Sequence, residues 1–169
     1  MLRAHLLFNR DGVARGAPVY ELRKASEADL PSVRRLLEDA GLPTSDLATA
    51  ESQFVVIGDG EQIIAAGALQ RFGSVALLRS VVVDPDRRGA AFGRGIVKEL
   101  ERAAQAAQIG RLVLLTQTAR EFFADLGYRV IERADAPQEV QRSEEFRSLC
   151  PSSATCMIKT IGKSDQAVS

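Results

Sequence analysis

Residues 81–95 are VVVDPDRRGAAFGRG, an apolar strand that leads through a loop of small residues and arginines into a helix. Small residues let the backbone approach a phosphate group closely, and the free N–H groups of a first helical turn point at it. The helix dipole and the charges of Arg87, Arg88 and Arg94 add to that attraction. The stretch predicts a pyrophosphate-binding turn. A tight strand–helix turn with solvated arginines would show the same pattern.

The chain before this turn alternates between strand and helix patterns. A short strand at 19–23 precedes a helix that begins at a capping-box pair, Ser26 and Asp29. Two hairpins follow, and their last strand, 75–83, is apolar at most positions. Such a strand is expected at the centre of a sheet, buried on both faces.

The chain after the turn continues with a long amphipathic helix, which we expect Gly110 to close. A buried strand at 112–115 follows, and Thr118 is placed to cap a short helix. Further strands at 128–131 and 156–161 complete the pattern. This order of hairpins and helices predicts a mixed, mostly antiparallel sheet of about seven strands, flanked by about four helices.

Composition and length favour a single domain. The 169 residues are 46% hydrophobic, enough for one core. We predict a flexible leader at 1–18, one domain at 19–162 and a polar tail at 163–169. Lys+Arg and Asp+Glu both number 22, so no overall charge favours nucleic acid or an anionic membrane. Two cysteines make no disulfide framework, and no apolar run is long enough to span a membrane, so we predict a cytoplasmic protein.

The turn resembles the acetyl-CoA signature of GNAT acetyltransferases, Gln/Arg-x-x-Gly-x-Gly/Ala. Arg88 matches its first position and Gly93 its last, while Ala91 replaces the usual middle glycine. The resemblance covers residues 19–161 and includes a helix-then-strand element at 121–128. It implies an α/β (α+β) fold whose sheet is splayed at its centre, with acetyl-CoA as the acetyl donor in the gap. The residues that it implies for acetyl-CoA binding are Val81, Val82, Val83, Arg88, Gly89, Ala90, Ala91, Phe92, Gly93 and Arg94.

The resemblance also implies where the acetyl group and an amine meet. Ser80 and Thr116 are the candidates for binding the substrate or a relay water during catalysis, although both would serve equally to satisfy the splayed backbone. Arg79 and Gln117 lie beside them as candidate substrate-binding residues. Phe123 stands where many family members have a proton-donating tyrosine, and we interpret it as a core and wall residue that is also a candidate for substrate binding.

The two cysteines, Cys150 and Cys156, flank one short loop before the last strand. Buried cysteines of this kind are commonly small hydrophobes. The segment 146–157 also resembles the arsenic-resistance branch of GNAT acetyltransferases, as do 41–44 and 75–80. Thiolates are soft ligands, so the resemblance implies that both cysteines bind a trivalent organoarsenical whose aromatic amine is acetylated, giving arsenic resistance. No other metal site is predicted.

Other functions remain open at this point. The acceptor is either another small-molecule amine or a protein amine, and a non-catalytic CoA-binding module is the alternative from another class. A protein acceptor favours an acidic groove, and the late acidic residues Glu139, Glu144 and Glu145 are more simply a solvated helix face. GNAT domains often dimerise through their last strands, so a homodimer is also possible.

Overall fold

The computed structural model describes residues 19–48, 51–60, 62–87 and 91–162. The strands are β1 (Glu21–Lys24), β2 (Ser52–Gly58), β3 (Ile63–Phe72), β4 (Val75–Val83), β5 (Arg111–Thr116), β6 (Arg129–Ile131) and β7 (Thr155–Thr160). The α-helices are α1 (Leu30–Asp39), α2 (Ala91–Ala106), α3 (Arg120–Asp125) and α4 (Gln138–Gln141). Short 3-10 turns lie at Glu27–Asp29, Pro85–Arg87 and Arg133–Asp135, and a π-helical turn lies at Glu145–Leu149.

The seven strands form one sheet in the order β1-β2-β3-β4-β5-β7-β6. All neighbours are antiparallel except β4 and β5, which run parallel. The predicted mixed, mostly antiparallel sheet of seven strands is therefore confirmed. No helix in the part of the chain that the structure describes is long and apolar enough to cross a membrane.

The central strands divide their side chains between two helical layers. In β2, Val55 and Ile57 belong to the core under α2, whereas Phe54 and Val56 pack with Val33 of α1. This division follows from the alternation of side chains along a strand. It explains why the central strands look apolar at nearly every position.

Gly67 allows α2 to lie directly against β3. A Cβ atom at this position would be 2.4 Å from Cγ2 of Ile96 and 3.0 Å from Cδ1 of Leu100. The first distance is shorter than real Cβ atoms show and the second is tight, so a substitution requires the Ile96 and Leu100 side chains to shift or α2 to move away from the strand. The close approach fixes the position of α2, and hence of its N-terminus beside the end of β4.

The helix ends agree with the sequence in one case and differ in two. The capping box of Ser26 and Asp29 is present, as predicted. The prediction that Thr118 caps α3 is wrong, because the Ala119 N–H donates to Oγ1 of Thr116 instead, at 3.0 Å. Gly110 does not close α2: the helix ends at Ala106, and Gln108 takes the left-handed conformation (φ 59°).

Candidate functional site

The sheet opens between its two parallel strands. Val75–Leu77 of β4 pair with Arg111–Val113 of β5, and no pairing between the two strands continues beyond these residues. The C-terminal parts of β4 and β5, beyond Leu77 and Val113, therefore diverge, as the resemblance implied. The backbone facing the gap from Arg79 to Val83 is available to another extended molecule.

A bulge in β4 lies at the point where the strands separate. Ala66 pairs with Val82 and Ala68 with Arg79, so Gly67 faces two residues, Ser80 and Val81. Ser80 has a φ of 57°, a left-handed conformation that is uncommon for a residue other than glycine. Strained residues of this kind and bulges both concentrate beside functional sites.

The gap forms part of a cavity of about 970 Å³. Its walls include the second half of β4, the end of β5, the first turn of α2, the start of α3 and the π-helical turn. The predicted site residues that line it are Arg79, Ser80, Val81, Val82, Val83, Phe92, Gly93, Thr116, Gln117, Phe123 and Cys150. Ala91, Arg94 and Cys156 are described but do not line it. Arg88, Gly89 and Ala90 lie outside the described residues.

Two side chains, those of Tyr20 and Asp59, hold Arg87 just before the predicted phosphate loop. Nη1 of Arg87 donates to the Tyr20 hydroxyl at 3.0 Å, and its Nη2 lies 3.3 Å from Oδ2 of Asp59. The Tyr20 ring packs edge-on against Phe92, with centroids 4.8 Å apart. Arg87 lines the cavity, so these contacts hold a positive charge beside the start of α2.

Gly93 is buried in the first turn of α2 against the ring of Phe122. A Cβ atom here would lie 3.2 Å from Cζ of Phe122 and 3.7 Å from Cγ2 of Val83. The glycine therefore lets α2 and α3 approach each other at the cavity wall. Packing between α2 and α3 therefore favours a glycine here, in addition to the predicted phosphate contact.

Phe123 is both a core residue and a wall residue, as the sequence analysis proposed. It is 6% exposed and packs edge-on against Phe122 and Tyr128, at centroid distances of 5.0 and 5.6 Å. Tyr128 is buried, and its hydroxyl donates to Oε1 of Glu101 at 3.0 Å. Burial first, and then the Glu101 charge, raise the pKa of Tyr128, so its hydroxyl is a structural group.

The most strongly buried charges at the cavity are those of Arg79 and its partners. Arg79 is 4% exposed, and its two terminal nitrogens donate to the two oxygens of Asp46 at 2.6 and 2.7 Å. Nη1 also donates to Gln70, and Nη2 lies 3.0 Å from Oε2 of Glu145. Arg79 was predicted to bind substrate, but its guanidinium is occupied by protein carboxylates.

The cluster of Asp46, Arg79 and Glu145 was not predicted from the sequence, and the prediction for Glu145 is wrong. Glu145 was assigned to a solvated helix face, yet it is 7% exposed and lines the cavity. Glu139 and Glu144 are exposed, as expected. An arginine inside the apolar strand β4 was the available signal, because a buried guanidinium requires a carboxylate partner from elsewhere in the chain.

The two cysteines are free thiols in different surroundings. Cys150 lines the cavity, and its Sγ donates to Oε1 of Glu145 at 3.2 Å. Cys156 is 2% exposed in an apolar cluster with residues such as Val75 and Val113. The described residues contain no group of three or more His, Cys, Asp or Glu side chains that could hold a metal ion. A site that uses both thiols stays a prediction.

Both thiols are expected to alkylate slowly in the native protein. Burial, followed by the charge of Glu145, raises the pKa of Cys150 to about 12, and burial raises that of Cys156 to about 11. Both are therefore protonated at pH 8, and the reactive thiolate is scarce. We expect iodoacetamide to label each cysteine about 100-fold more slowly in the native chain than in guanidinium chloride, measured by peptide mass spectrometry. Equal native and denatured rates at Cys150 would contradict this environment.

The known proteins that resemble this chain are acetyltransferases. Residues 50–130 match the model of the acetyltransferase (GNAT) domain. The chain is 31% identical to an amino-acid acetyltransferase of Mycobacterium tuberculosis over 141 residues, 78% of each chain. It is 30% identical to an amino-acid acetyltransferase of Haemophilus ducreyi, covering 85% of this chain but 36% of that protein. The chain thus spans about a third of the length of this relative and of the amino-acid acetyltransferases of Pasteurella multocida and Actinobacillus pleuropneumoniae.

Two solved structures are also similar. Rv2747 from Mycobacterium tuberculosis, in complex with CoA, superimposes with a TM-score of 0.70 at 28% identity, over 82% of this chain and 98% of that one. N-acetylglutamate synthase from Neisseria gonorrhoeae, complexed with coenzyme A and N-acetyl-glutamate, gives a TM-score of 0.72 at 18% identity. That match covers 88% of this chain and 36% of the other, and it concerns the fold alone.

Proposed function

The chain belongs to the GNAT acetyltransferase family, and from this premise we propose that it transfers the acetyl group of acetyl-CoA to the amino group of a small molecule. The observation that carries the proposal is the gap between β4 and β5, which opens into a cavity reaching the first turn of α2. A relative of 28% identity is known in complex with CoA. An acetyltransferase that uses acetyl-CoA therefore explains the cavity and agrees with the similarity to known acetyltransferases.

We assign acetyl-CoA to the cavity on the basis of the protein backbone groups that face it. We assign the pantetheine arm to the unpaired backbone of β4 near Val81 and Val83, which offers N–H and C=O groups at the spacing of a strand. The pyrophosphate is assigned to the first turn of α2, where free N–H groups and the helix dipole favour an anion. Contacts from residues 88–90, which precede this turn in the sequence, stay a prediction. Arg87 adds a positive charge on the same wall.

The chemistry then depends chiefly on positioning. The neutral amine nitrogen attacks the thioester carbonyl, a C–N bond forms, the C–S bond breaks, CoA leaves as its thiolate, and the nitrogen releases one proton to solvent. An acceptor that binds as an ammonium releases a further proton to solvent before it attacks. Ser80 and Thr116 remain the candidates for contacting the reacting groups. Oγ1 of Thr116 accepts the Ala119 N–H at 3.0 Å, which fixes the hydroxyl while leaving its proton to donate.

Two acceptor classes have specific support. Relatives named amino-acid acetyltransferase favour an amino acid or a similar alkyl amine. Cys150 on the cavity wall favours the second candidate, an amino-bearing trivalent organoarsenical bound through sulfur. Arsenic bridging to Cys156 would require that residue to leave its apolar cluster.

The proposal is tested by measuring CoA release and acetylated products with a panel of acceptors. The panel contains amino acids including L-glutamate, benzylamine, aniline, a short peptide, and an aminophenyl arsenical in its trivalent and pentavalent forms. We expect CoA release with at least one small molecule and not with the peptide. If CoA binds but no amine stimulates its release, the chain is a CoA-binding module, and the proposed function is wrong.

The arsenical candidate makes its own prediction. The trivalent arsenical should have the lower KM, because pentavalent arsenic is saturated with oxygen and cannot accept thiolates. Cys150→Ser and Cys156→Ser should each raise that KM about tenfold or more while leaving kcat nearly unchanged, because sulfur anchors the substrate away from the reacting nitrogen. Equal use of both oxidation states by the wild type would remove this candidate.

A further inference from the structure

Glu145 occupies an unusual position on the cavity wall. It is the first residue of the π-helical turn Glu145–Leu149, it is 7% exposed, and it lines the same cavity as Ser80 and Thr116. π-Helical turns are rare and occur frequently at functional sites. The other carboxylate that lines the cavity in the described part of the chain, Glu121, is exposed on α3. Glu145 is therefore the buried carboxylate of this wall.

The carboxylate of Glu145 has acceptor capacity to spare. Its Oε2 is buried from solvent and lies 3.0 Å from Nη2 of Arg79, but it accepts no hydrogen bond of good geometry from the described residues. A ligand in the cavity reaches this oxygen when the carboxylate rotates toward it. Arg79 is at the same time bound through two hydrogen bonds to Asp46, so Glu145 is the second carboxylate on one guanidinium. Oε1 accepts the Cys150 thiol, which is a weak donor. An ionised carboxylate offers about four acceptor positions.

An amine is the ligand that such a group would bind. Its N–H groups fill open acceptor positions, and a positively charged ammonium also satisfies the buried charge. Both effects are stronger inside a protein than in water. A bound ammonium displaces the thiol from Oε1 at little cost, because it replaces a weak hydrogen bond with a charge-assisted one.

We propose that Glu145 binds the amino group of the acceptor and makes the site selective for amines that carry a positive charge. The proposal rests on the proposed function and deepens it by naming the acceptor class. Arg79 and Asp46 act behind Glu145 as positioning residues, since they fix its carboxylate. Glu145 and Cys150 are hydrogen-bonded neighbours, so an arsenical bound at Cys150 would place its amine elsewhere and would not depend on this carboxylate.

The experiment compares Glu145→Gln, which keeps the size and removes the charge, with Glu144→Gln as the matched control. Glu144 is exposed next to it and accepts the Ser148 hydroxyl at 3.2 Å. For the best ammonium acceptor of the panel, we expect Glu145→Gln to raise KM about tenfold or more, with kcat and the Kd of CoA changed less than about threefold. The loss should be smaller for the neutral aniline than for benzylamine. The control should match the wild type in every measurement.

Glu145→Asp keeps the charge and decides the question if the Gln variant does not fold. The proposal expects this variant to prefer benzylamine over aniline as the wild type does. A folded Glu145→Asp without that preference, an equal loss for charged and neutral acceptors in Glu145→Gln, or a wild type that uses neutral amines alone would each overturn it. A wild type that releases no CoA with any amine would instead refute the proposed function on which this inference rests.

Discussion

Gly93→Asp is expected to weaken CoA binding about 100-fold or more. The substitution introduces a negative charge in the first turn of α2, where we assign the pyrophosphate. It also displaces charge-assisted hydrogen bonds, each of which contributes roughly 1.5–3 kcal/mol. Titration calorimetry with CoA measures the change directly, and a thermal melt of the same sample checks that the variant is folded.

Gly93→Ala separates charge from packing in this experiment. Its Cβ atom would lie 3.2 Å from Cζ of Phe122, so a small shift of that ring is expected and some affinity is lost. The Asp variant should bind CoA at least about tenfold more weakly than the Ala variant, because the added charge repels the phosphates. Equal affinities in the two variants would show that the effect is steric and that the pyrophosphate lies elsewhere.

Arg79→Met is expected to lower the free energy of unfolding by about 3–5 kcal/mol, because it leaves buried carboxylates without their shared cation. Asp46 and Glu145 are 6% and 7% exposed, so water cannot replace the guanidinium without a structural change. Urea unfolding followed by circular dichroism gives the difference between variant and wild type. Arg71→Met is the control: this exposed arginine of β3 donates to a backbone oxygen, that of Gly73, at 3.0 Å.

The control should stay within about 0.5 kcal/mol of the wild type, as is usual for an exposed surface position. A comparably small change in Arg79→Met would mean that the ion pairs seen around this residue contribute little to stability. The elements that they connect, the loop containing Asp46 and the π-helical turn, would then be held in place by apolar contacts.

The order of strands and helices could be predicted from the sequence because hydrophobic periodicity and turn residues are local signals. The end of β4 at Val83 was located correctly for the same reason. The cluster of Asp46, Arg79 and Glu145 could not be found in this way. Asp46 and Arg79 are 33 residues apart, and nothing in the spacing of the sequence indicates which carboxylate a buried arginine will meet.

The surroundings of Glu145 illustrate the same limit. The polar segment that contains it has no strong period, so its helical turns were predicted without a buried face. Glu145 is buried beside Arg79, a residue of β4 that is distant in the sequence, which is a tertiary effect. Thr116 is similar: its role as the acceptor of the Ala119 N–H depends on how β5 turns into α3.

The three-residue contact between β4 and β5 also has a consequence for how the chain folds. Strands β1 to β4 form a meander in which each strand pairs with the next, so residues 21–83 can collapse through contacts that are local in the chain. Strands β5, β6 and β7 pair among themselves. In the described part of the chain, the two sets of strands pair with each other only at Val75–Leu77 and Arg111–Val113. Because acetyl-CoA is assigned to the gap beside this short contact, its binding would stabilise the arrangement of the two sets of strands.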